Sequence, residues 1–145
     1  FALAMITARF LGDLALDHFG PARLVRICGY FGALGWGASI AIAVPLSESN
    51  PLIALIVINL GFVIAGLAIG PMFPAFILAA SKTPGIAPAV AISRVGVIGI
   101  AGFFFGPTIT GIISQYSNLS IGMIYPVAML ILSGYLSKAI KANKA

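Results

Sequence analysis

Two long stretches without a charged residue constrain this chain more than any other feature. No Asp, Glu, Lys or Arg occurs between Leu52 and Ala80 or between Val95 and Ser137. A helix of about 20 apolar residues crosses the hydrocarbon core of a bilayer, and both stretches are longer than that. Overall, 61% of the residues are hydrophobic and only 8% are charged, whereas about a quarter of a soluble domain is charged. The sequence therefore predicts an all-α, polytopic membrane helical bundle.

Polar and proline-containing turns divide the chain into one partial helix and four full spans. Pro51 opens one helix, at a position where its missing N–H costs nothing. Gly70, Pro71 and Pro74 predict a bend in that helix, because proline removes a backbone hydrogen bond. Because the chain starts with Phe1 inside an apolar segment, we expect residues 1–145 to be a fragment of a larger protein. The predicted helices cover residues 1–14, 23–45, 51–80, 88–116 and 119–137.

The basic residues are distributed unevenly among the connectors. Three arginines flank the first connector, Lys82 lies in the third, and three lysines lie in the tail. Cytoplasmic loops are enriched in Lys and Arg, so we expect these connectors and the C-terminus to be cytoplasmic, in a bacterial inner membrane. Orientation and contact with the lipid bilayer account for the net charge of +5, and nothing supports a nucleic-acid partner. The bases of these connectors and of the tail are Arg9, Arg23, Arg26, Lys82, Lys138, Lys141 and Lys144.

The first connector, within residues 8–26, has a dense pattern of charged residues and glycine. It resembles the loop between paired helices in the major facilitator superfamily, although His18 and Pro21 stand where that family usually has bases. The resemblance implies the end of span eight through span twelve of a twelve-span transporter, with the N-terminal half missing. It also implies a cytoplasmic latch. The matching residues are Gly12, Asp13, Asp17, Phe19, Gly20 and Arg23.

The two acids of this connector need partners. Asp13 and Asp17 are four residues apart and repel slightly if helix continues through them. In the family that the connector resembles, such acids meet bases or the positive end of a helix and hold the cytoplasmic side closed. Arg9, Arg23 and Arg26 are local candidates. A solvated charge cluster that only fixes topology is the alternative.

The fourth full span carries a face of small residues. Gly96, Gly99, Gly102 and Gly106 recur on one side of the helix, where they would allow a second helix to approach closely. The segment from Gly102 through Gly106, Pro107 and Gly111 also resembles the glycine-rich antiporter motif of the same superfamily, although Ser93 and Thr110 replace two of its glycines. The alternative is a kinked helix whose small residues serve packing alone.

Polar residues inside the spans are the candidates for a transport path. Arg94, Thr108 and Gln115 fall within about 60° of one another around the fourth span. A guanidinium suits an anionic or hydroxyl-rich small-molecule substrate, but Arg94 could instead reach the headgroups. Asn59 lies mid-span on the face of Gly66 and Gly70, where it could line the path or form an interhelical hydrogen bond.

Several classes of function lack sequence support. The chain has no metal-ligand spacing, no nucleotide-binding loop and only one histidine, so we expect no enzyme activity, metal or cofactor. The four full spans contain no Asp or Glu, so proton coupling would depend on other segments. The resemblance implies part of a secondary active transporter that moves a small solute by alternating access. The alternative is a small oligomeric membrane protein, or a subunit of a membrane complex, without its own path.

Overall fold

The computed structural model describes residues 2–140, except for the side chains of residues 2, 4, 7, 9–11, 13 and 14. All regular structure in this part of the chain is helical, which confirms the all-α membrane bundle. Four helical stretches, residues 15–49, 51–81, 88–116 and 119–139, are long and apolar enough to cross a membrane. The helices are α1 (Ala2–Ser49), α2 (Pro51–Ile69), α3 (Met72–Ser81), α4 (Pro88–Tyr116), α5 (Leu119–Gly122) and α6 (Ile124–Leu136), followed by a 3₁₀ turn at Ser137–Ala139.

Helix α1 consists of two segments that meet at Gly20. This glycine has φ 70° and ψ 163°, a combination that residues with a Cβ rarely adopt. The predicted break between residues 14 and 23 is therefore too wide, because helix continues to Phe19 and resumes at Pro21. Charged residues are compatible with a solvated helix, so only the positive φ of Gly20 interrupts it.

The far end of α1 also extends beyond its predicted boundary at residue 45. Pro45 lies inside the helix, which continues to Ser49. The side chain of Asn50 then accepts a hydrogen bond from the backbone N–H of Ile53 (3.4 Å) and caps α2. Pro51 is at the start of α2, as predicted. A single residue therefore connects two antiparallel helices.

The helix predicted over residues 51–80 is interrupted at Gly70 and Pro71, which separate α2 from α3. The first segment of α1 fills this bend. A Cβ atom at Gly70 would lie 2.7 Å from Cβ of Ala8, and one at Gly12 would lie 2.8 Å from Cβ of Pro71. Gly12 is accordingly buried within the first segment of α1. The absence of a side chain at these glycines allows the two backbones to meet.

The core lies where α1 packs against α2, α3 and α6. Helices α1 and α6 approach closely, since a Cβ atom at Gly29 would lie 2.7 Å from Leu130 O and Gly134 N. At Gly32 it would lie 2.7 Å from Cβ of Ala68 on α2. Small residues thus set the separation of both helix pairs. The buried apolar cluster comprises Leu24, Val25, Cys28, Ala33, Trp36, Ile40, Ala65, Ala68, Met72, Ala75 and Leu130.

Helix α4 is the least buried of the long helices in the described bundle. Ala91 is the one residue of α4 that is buried among the described residues. At the far end, a Cβ atom at Gly122 of α5 would lie 3.0 Å from Thr110 O and would meet Oγ of Ser114. In the most apolar 18-residue stretch of α4, only 6% is buried, whereas 39% of the corresponding stretch of α1 is buried. The middle of α4 is therefore exposed along most of its circumference.

The alternating direction of the four spans gathers the basic residues at one end of the bundle. Four described bases lie at or near that end, which we call the basic end, whereas Glu48 lies at the opposite end. Lys138 also stacks over the Tyr135 ring, 4.8 Å from its centre. The sequence positions of Lys141 and Lys144 lie outside the described residues. The bases of the basic end are Arg23, Arg26, Lys82 and Lys138.

Candidate functional site

The polar residues predicted on the fourth span lie along one side of α4. The helix continues through Pro107 without a non-helical residue. Arg94, Thr108 and Gln115 are all exposed. At 1.5 Å per residue, Arg94 and Thr108 are about 21 Å apart along the axis and Gln115 is about 10 Å further. These residues therefore form a line from the basic end towards the opposite end and do not converge on one small molecule.

The hydrogen bonds of these residues define what each can offer a ligand. The Thr108 hydroxyl donates to Phe104 O (2.9 Å) within α4, so its oxygen is left as an acceptor. Arg94 has no hydrogen bond or ion pair with any residue that the structure describes. Its guanidinium retains five N–H donors. The line thus begins with a cationic donor and continues with an acceptor.

The glycine face of α4 is largely open within residues 2–140. A Cβ atom added at Gly96, Gly102, Gly106 or Gly111 would meet nothing within 4 Å. Gly99 alone has a neighbour, with Cε2 of Phe73 at 3.5 Å from such an atom. Close packing at this face stays a prediction. The face forms part of an open apolar groove of about 380 Å³ lined by Phe73, Gly96, Gly99, Ile100 and Phe103.

Asn59 also lies on an exposed helix face. Its amide nitrogen donates to Leu55 O in the same helix (2.7 Å), and no interhelical bond forms with the described residues. Apolar side chains surround it in a shallow groove of about 370 Å³. Gly66 and Gly70, predicted on the same face, are instead buried, and Pro74 is half-buried. The groove is lined by Leu55, Ile56, Asn59, Leu60 and Val63.

The residues of the predicted latch are separated into two environments. Gly12 is buried against Pro71, and Gly20 supplies the break in α1. Asp17 and Arg23 are exposed and form no ion pair with other described residues. The side chains of Arg9 and Asp13 lie outside the described residues. Among those that are described, no three His, Cys, Asp or Glu side chains form a group suited to a metal ion.

Trp36 is a core residue that the sequence-based predictions do not single out. It is 7% exposed and packs on Phe62 with a centroid distance of 5.6 Å. Its indole Nε1 is buried without a hydrogen-bond partner among the described residues. The hydroxyl group of Ser39 donates a hydrogen bond to Trp36 O, three residues earlier in the same helix (2.7 Å). The glycines on both sides of Trp36 are the sequence signal that could have indicated a crowded helix contact.

Comparison with known proteins identifies the broad class of this chain. No family model matches it, and no solved structure matches it significantly. The chain is 28% identical over 129 residues to a protein named "Membrane protein MosC" from Rhizobium meliloti. The match covers 89% of this chain, and the chain spans only 29% of the length of that relative. With its four membrane-length apolar helices, the chain is an integral membrane protein built as an all-α helical bundle.

Proposed function

We propose that the chain is part of a secondary active transporter of the major facilitator type, which moves a small solute by alternating access. The observation that carries the proposal is the exposed polar line of Arg94, Thr108 and Gln115 on α4. Polar and ionisable residues within membrane spans normally face a cavity, a water-filled path or a partner. Helix α4 offers such a line while only one of its residues is buried in the described bundle.

The relative supports a membrane location and a longer polypeptide, and the mechanism is our proposal. Because the chain spans 29% of MosC, we infer that further spans of a longer protein complete the path. Those spans would cover the side of α4 that carries Arg94 and the groove around Asn59. The missing N-terminal half is then the main partner of this region, together with the lipid bilayer.

We place the basic end at the cytoplasmic face of a bacterial inner membrane, since loops rich in Lys and Arg remain on that side. A reporter that is active only in the periplasm, fused after Ala145, tests this orientation. Fusions at the C-terminus should be inactive, and fusions between Ser49 and Pro51 should be active. The reverse pattern would contradict the proposed topology.

Asp17 and Arg23 are proposed to latch the cytoplasmic side in one conformation. Their support is exposure without a described ion-pair partner beside the break at Gly20. Asp17→Asn should then shift the conformational equilibrium towards an inward-open state. The shift would be measured as faster labelling of an engineered cysteine at Arg94 from the cytoplasmic side. Glu48→Gln, at the opposite end, is the matched control and should leave this labelling unchanged.

Cysteine accessibility tests the path directly. In a Cys28→Ala background, Thr108→Cys and Gln115→Cys should react with a membrane-impermeant maleimide, because both side chains would line water. Phe103→Cys, on another side of α4, is the matched control and should stay unreactive in lipid. Equal labelling at Thr108 and Phe103 would show that no path runs along the polar side.

Alternating access also predicts the side of the membrane from which the same cysteines react. The side from which Thr108→Cys reacts should change when the transporter is driven between its two states. If Thr108 reacts from one side only in every condition, and the full-length protein in liposomes accumulates no solute, the alternative of a subunit without its own path is favoured.

A further inference from the structure

Arg94 is a cation inside a membrane span for which the described residues provide no counter-charge. It is exposed, and it makes no ion pair or hydrogen bond with any of them. The other described bases, Arg23, Arg26, Lys82 and Lys138, also lie at or near the basic end. A charged side chain within a span is costly unless it is paired or solvated. Arg94 therefore needs an anion or water from elsewhere.

The chain itself has few acids that could pair with Arg94. Its three acidic residues are Asp13, Asp17 and Glu48, and none follows Glu48. Glu48 lies at the end of the bundle opposite to the basic end, and Asp17 forms no ion pair among the described residues. Helices α2 to α6 thus contribute no carboxylate to the surroundings of α4.

The position of Arg94 defines what could reach it. Arg94 follows Pro88, the first residue of α4, by six residues, or about 9 Å along the axis. Cα–Cβ bonds in a helix tilt towards its N-terminus, so the side chain leans towards the basic end. The guanidinium is thus within range of the adjacent lipid leaflet and of any cavity that opens on the polar side of α4.

We propose that Arg94 binds a phosphate or carboxylate group that none of the described residues supplies. The planar fork of a guanidinium matches the two oxygens of either group and forms charge-assisted hydrogen bonds with them. The anion comes from one of two sources, the headgroup of an anionic phospholipid or the transported solute. The solute source rests on the proposed transport function, whereas the lipid source does not.

Binding of defined anions to the full-length protein tests this inference. The protein is placed in nanodiscs of phosphatidylcholine alone, and its melting temperature is measured with glucuronate and with glucose, which lacks the carboxylate. Inorganic phosphate is a second probe. A third sample replaces part of the phosphatidylcholine with phosphatidylglycerol. Stabilisation by glucuronate or phosphate identifies a solute anion, and stabilisation by phosphatidylglycerol alone identifies a lipid headgroup.

Variants at Arg94 connect the effect to this side chain. Arg94→Gln should weaken the stabilising anion by roughly tenfold or more, because it removes charge-assisted hydrogen bonds. Arg94→Lys should retain part of the affinity, since it keeps the charge but loses the fork. Lys82→Gln, a loop base near the same end, is the matched control and should bind as the wild type does. If Arg94→Gln does not fold, the comparison of Arg94→Lys with the wild type decides, and equal affinities overturn the inference.

The inference is also overturned if no anion stabilises the wild type, or if Arg94→Gln and Lys82→Gln lose the same amount of stabilisation. These results are distinct from a failure of the transport proposal. A protein whose Arg94 binds phosphatidylglycerol, but which shows no alternating labelling at Thr108, retains an anion site without transport. A protein that alternates at Thr108 while Arg94 binds no anion is a transporter in which Arg94 has another role.

Discussion

The glycines of α1 and those of α4 are similar in sequence and opposite in environment. In α1, a Cβ atom at Gly29 or Gly32 would lie 2.7 Å from atoms of α6 or α2. In α4, the same addition at Gly102 or Gly106 would meet nothing within 4 Å. Both sets recur at helical spacing within apolar spans. Small residues therefore permit close helix packing, but their spacing does not reveal whether a partner helix is present in the same chain.

Trp36→Ala should have the largest effect on the packed region. Replacing a buried tryptophan by alanine typically costs about 3–5 kcal/mol, and Trp36 packs on Phe62 in the core between α1 and α2. We expect a large drop in the unfolding midpoint of the detergent-solubilised protein. Trp36→Phe should cost much less, because it keeps an aromatic ring and removes the unpartnered indole N–H. Equal losses in the two variants would argue that the indole has an acceptor outside this chain.

Gly29→Ala tests the backbone contact between α1 and α6. The added methyl group would lie 2.7 Å from backbone atoms of α6, and backbone cannot move aside as a flexible side chain can. Overpacking of this kind costs about 1–3 kcal/mol. The measurement is again the unfolding midpoint, with Gly37→Ala as the control, where the nearest neighbour would be Cγ1 of Val127 at 3.4 Å. A tolerated Gly29→Ala would contradict the contact between α1 and α6.

Gly20→Ala separates backbone strain from packing. Nothing lies within 4 Å of the position that its methyl group would take, so any loss arises from the φ of 70°. Strain at such a position lowers the free energy of unfolding by about 1–3 kcal/mol. Alanine also reduces the conformational entropy of the unfolded chain, which raises the free energy of unfolding by about 0.4–1 kcal/mol. We expect a net loss smaller than that of Trp36→Ala. Gly96→Ala, inside a regular helix with equally open surroundings, is the control and should not be destabilised.

Gly102→Ala should have the smallest effect on the folding of the described bundle. Open surroundings predict a change within about 0.5 kcal/mol. In the full-length protein, the same variant tests whether a further helix packs on the glycine face of α4, as helices pack on the glycines of α1. A loss there as large as that of Gly29→Ala would show that a helix from outside this chain covers the glycine face of α4. An unchanged midpoint in both contexts would indicate that lipid covers it.

The spans could be predicted from the sequence, whereas their neighbours could not. Long uncharged stretches identify α2, α3, α4 and α6, and Pro88 marks the start of α4 in both prediction and structure. The break at Gly70 and Pro71 also follows from residue chemistry. Pairing of helices is different, because a helix that is apolar on all sides has no preferred face. Nothing in the sequence distinguishes the buried Gly29 from the exposed Gly102.

Two boundaries were misplaced for related reasons. The charged residues around Asp17 and the ring of Pro45 both suggest a helix end, and neither ends α1. Charged side chains are solvated beside a helix, and a proline near a helix end sacrifices only one backbone bond. The use of the candidate residues in a transport path stays a prediction. The residues Arg94, Thr108 and Gln115 do share one side of α4, but Asn59 bonds only within its own helix.

The one-residue link at Asn50 and the contact between Gly29 and Gly134 differ in the length of chain that each closes. Antiparallel helices joined at Asn50 meet through contacts that are short in sequence, so they can pair as soon as α2 is synthesised. The contact between Gly29 and Gly134 closes a loop of about 105 residues, and closing a loop costs entropy that grows with its length. The chain between Gly29 and Gly134 includes α4. The ends of the segment that contains α4 are therefore held in place by other helices. Its location follows from its neighbours in sequence more than from contacts of its own.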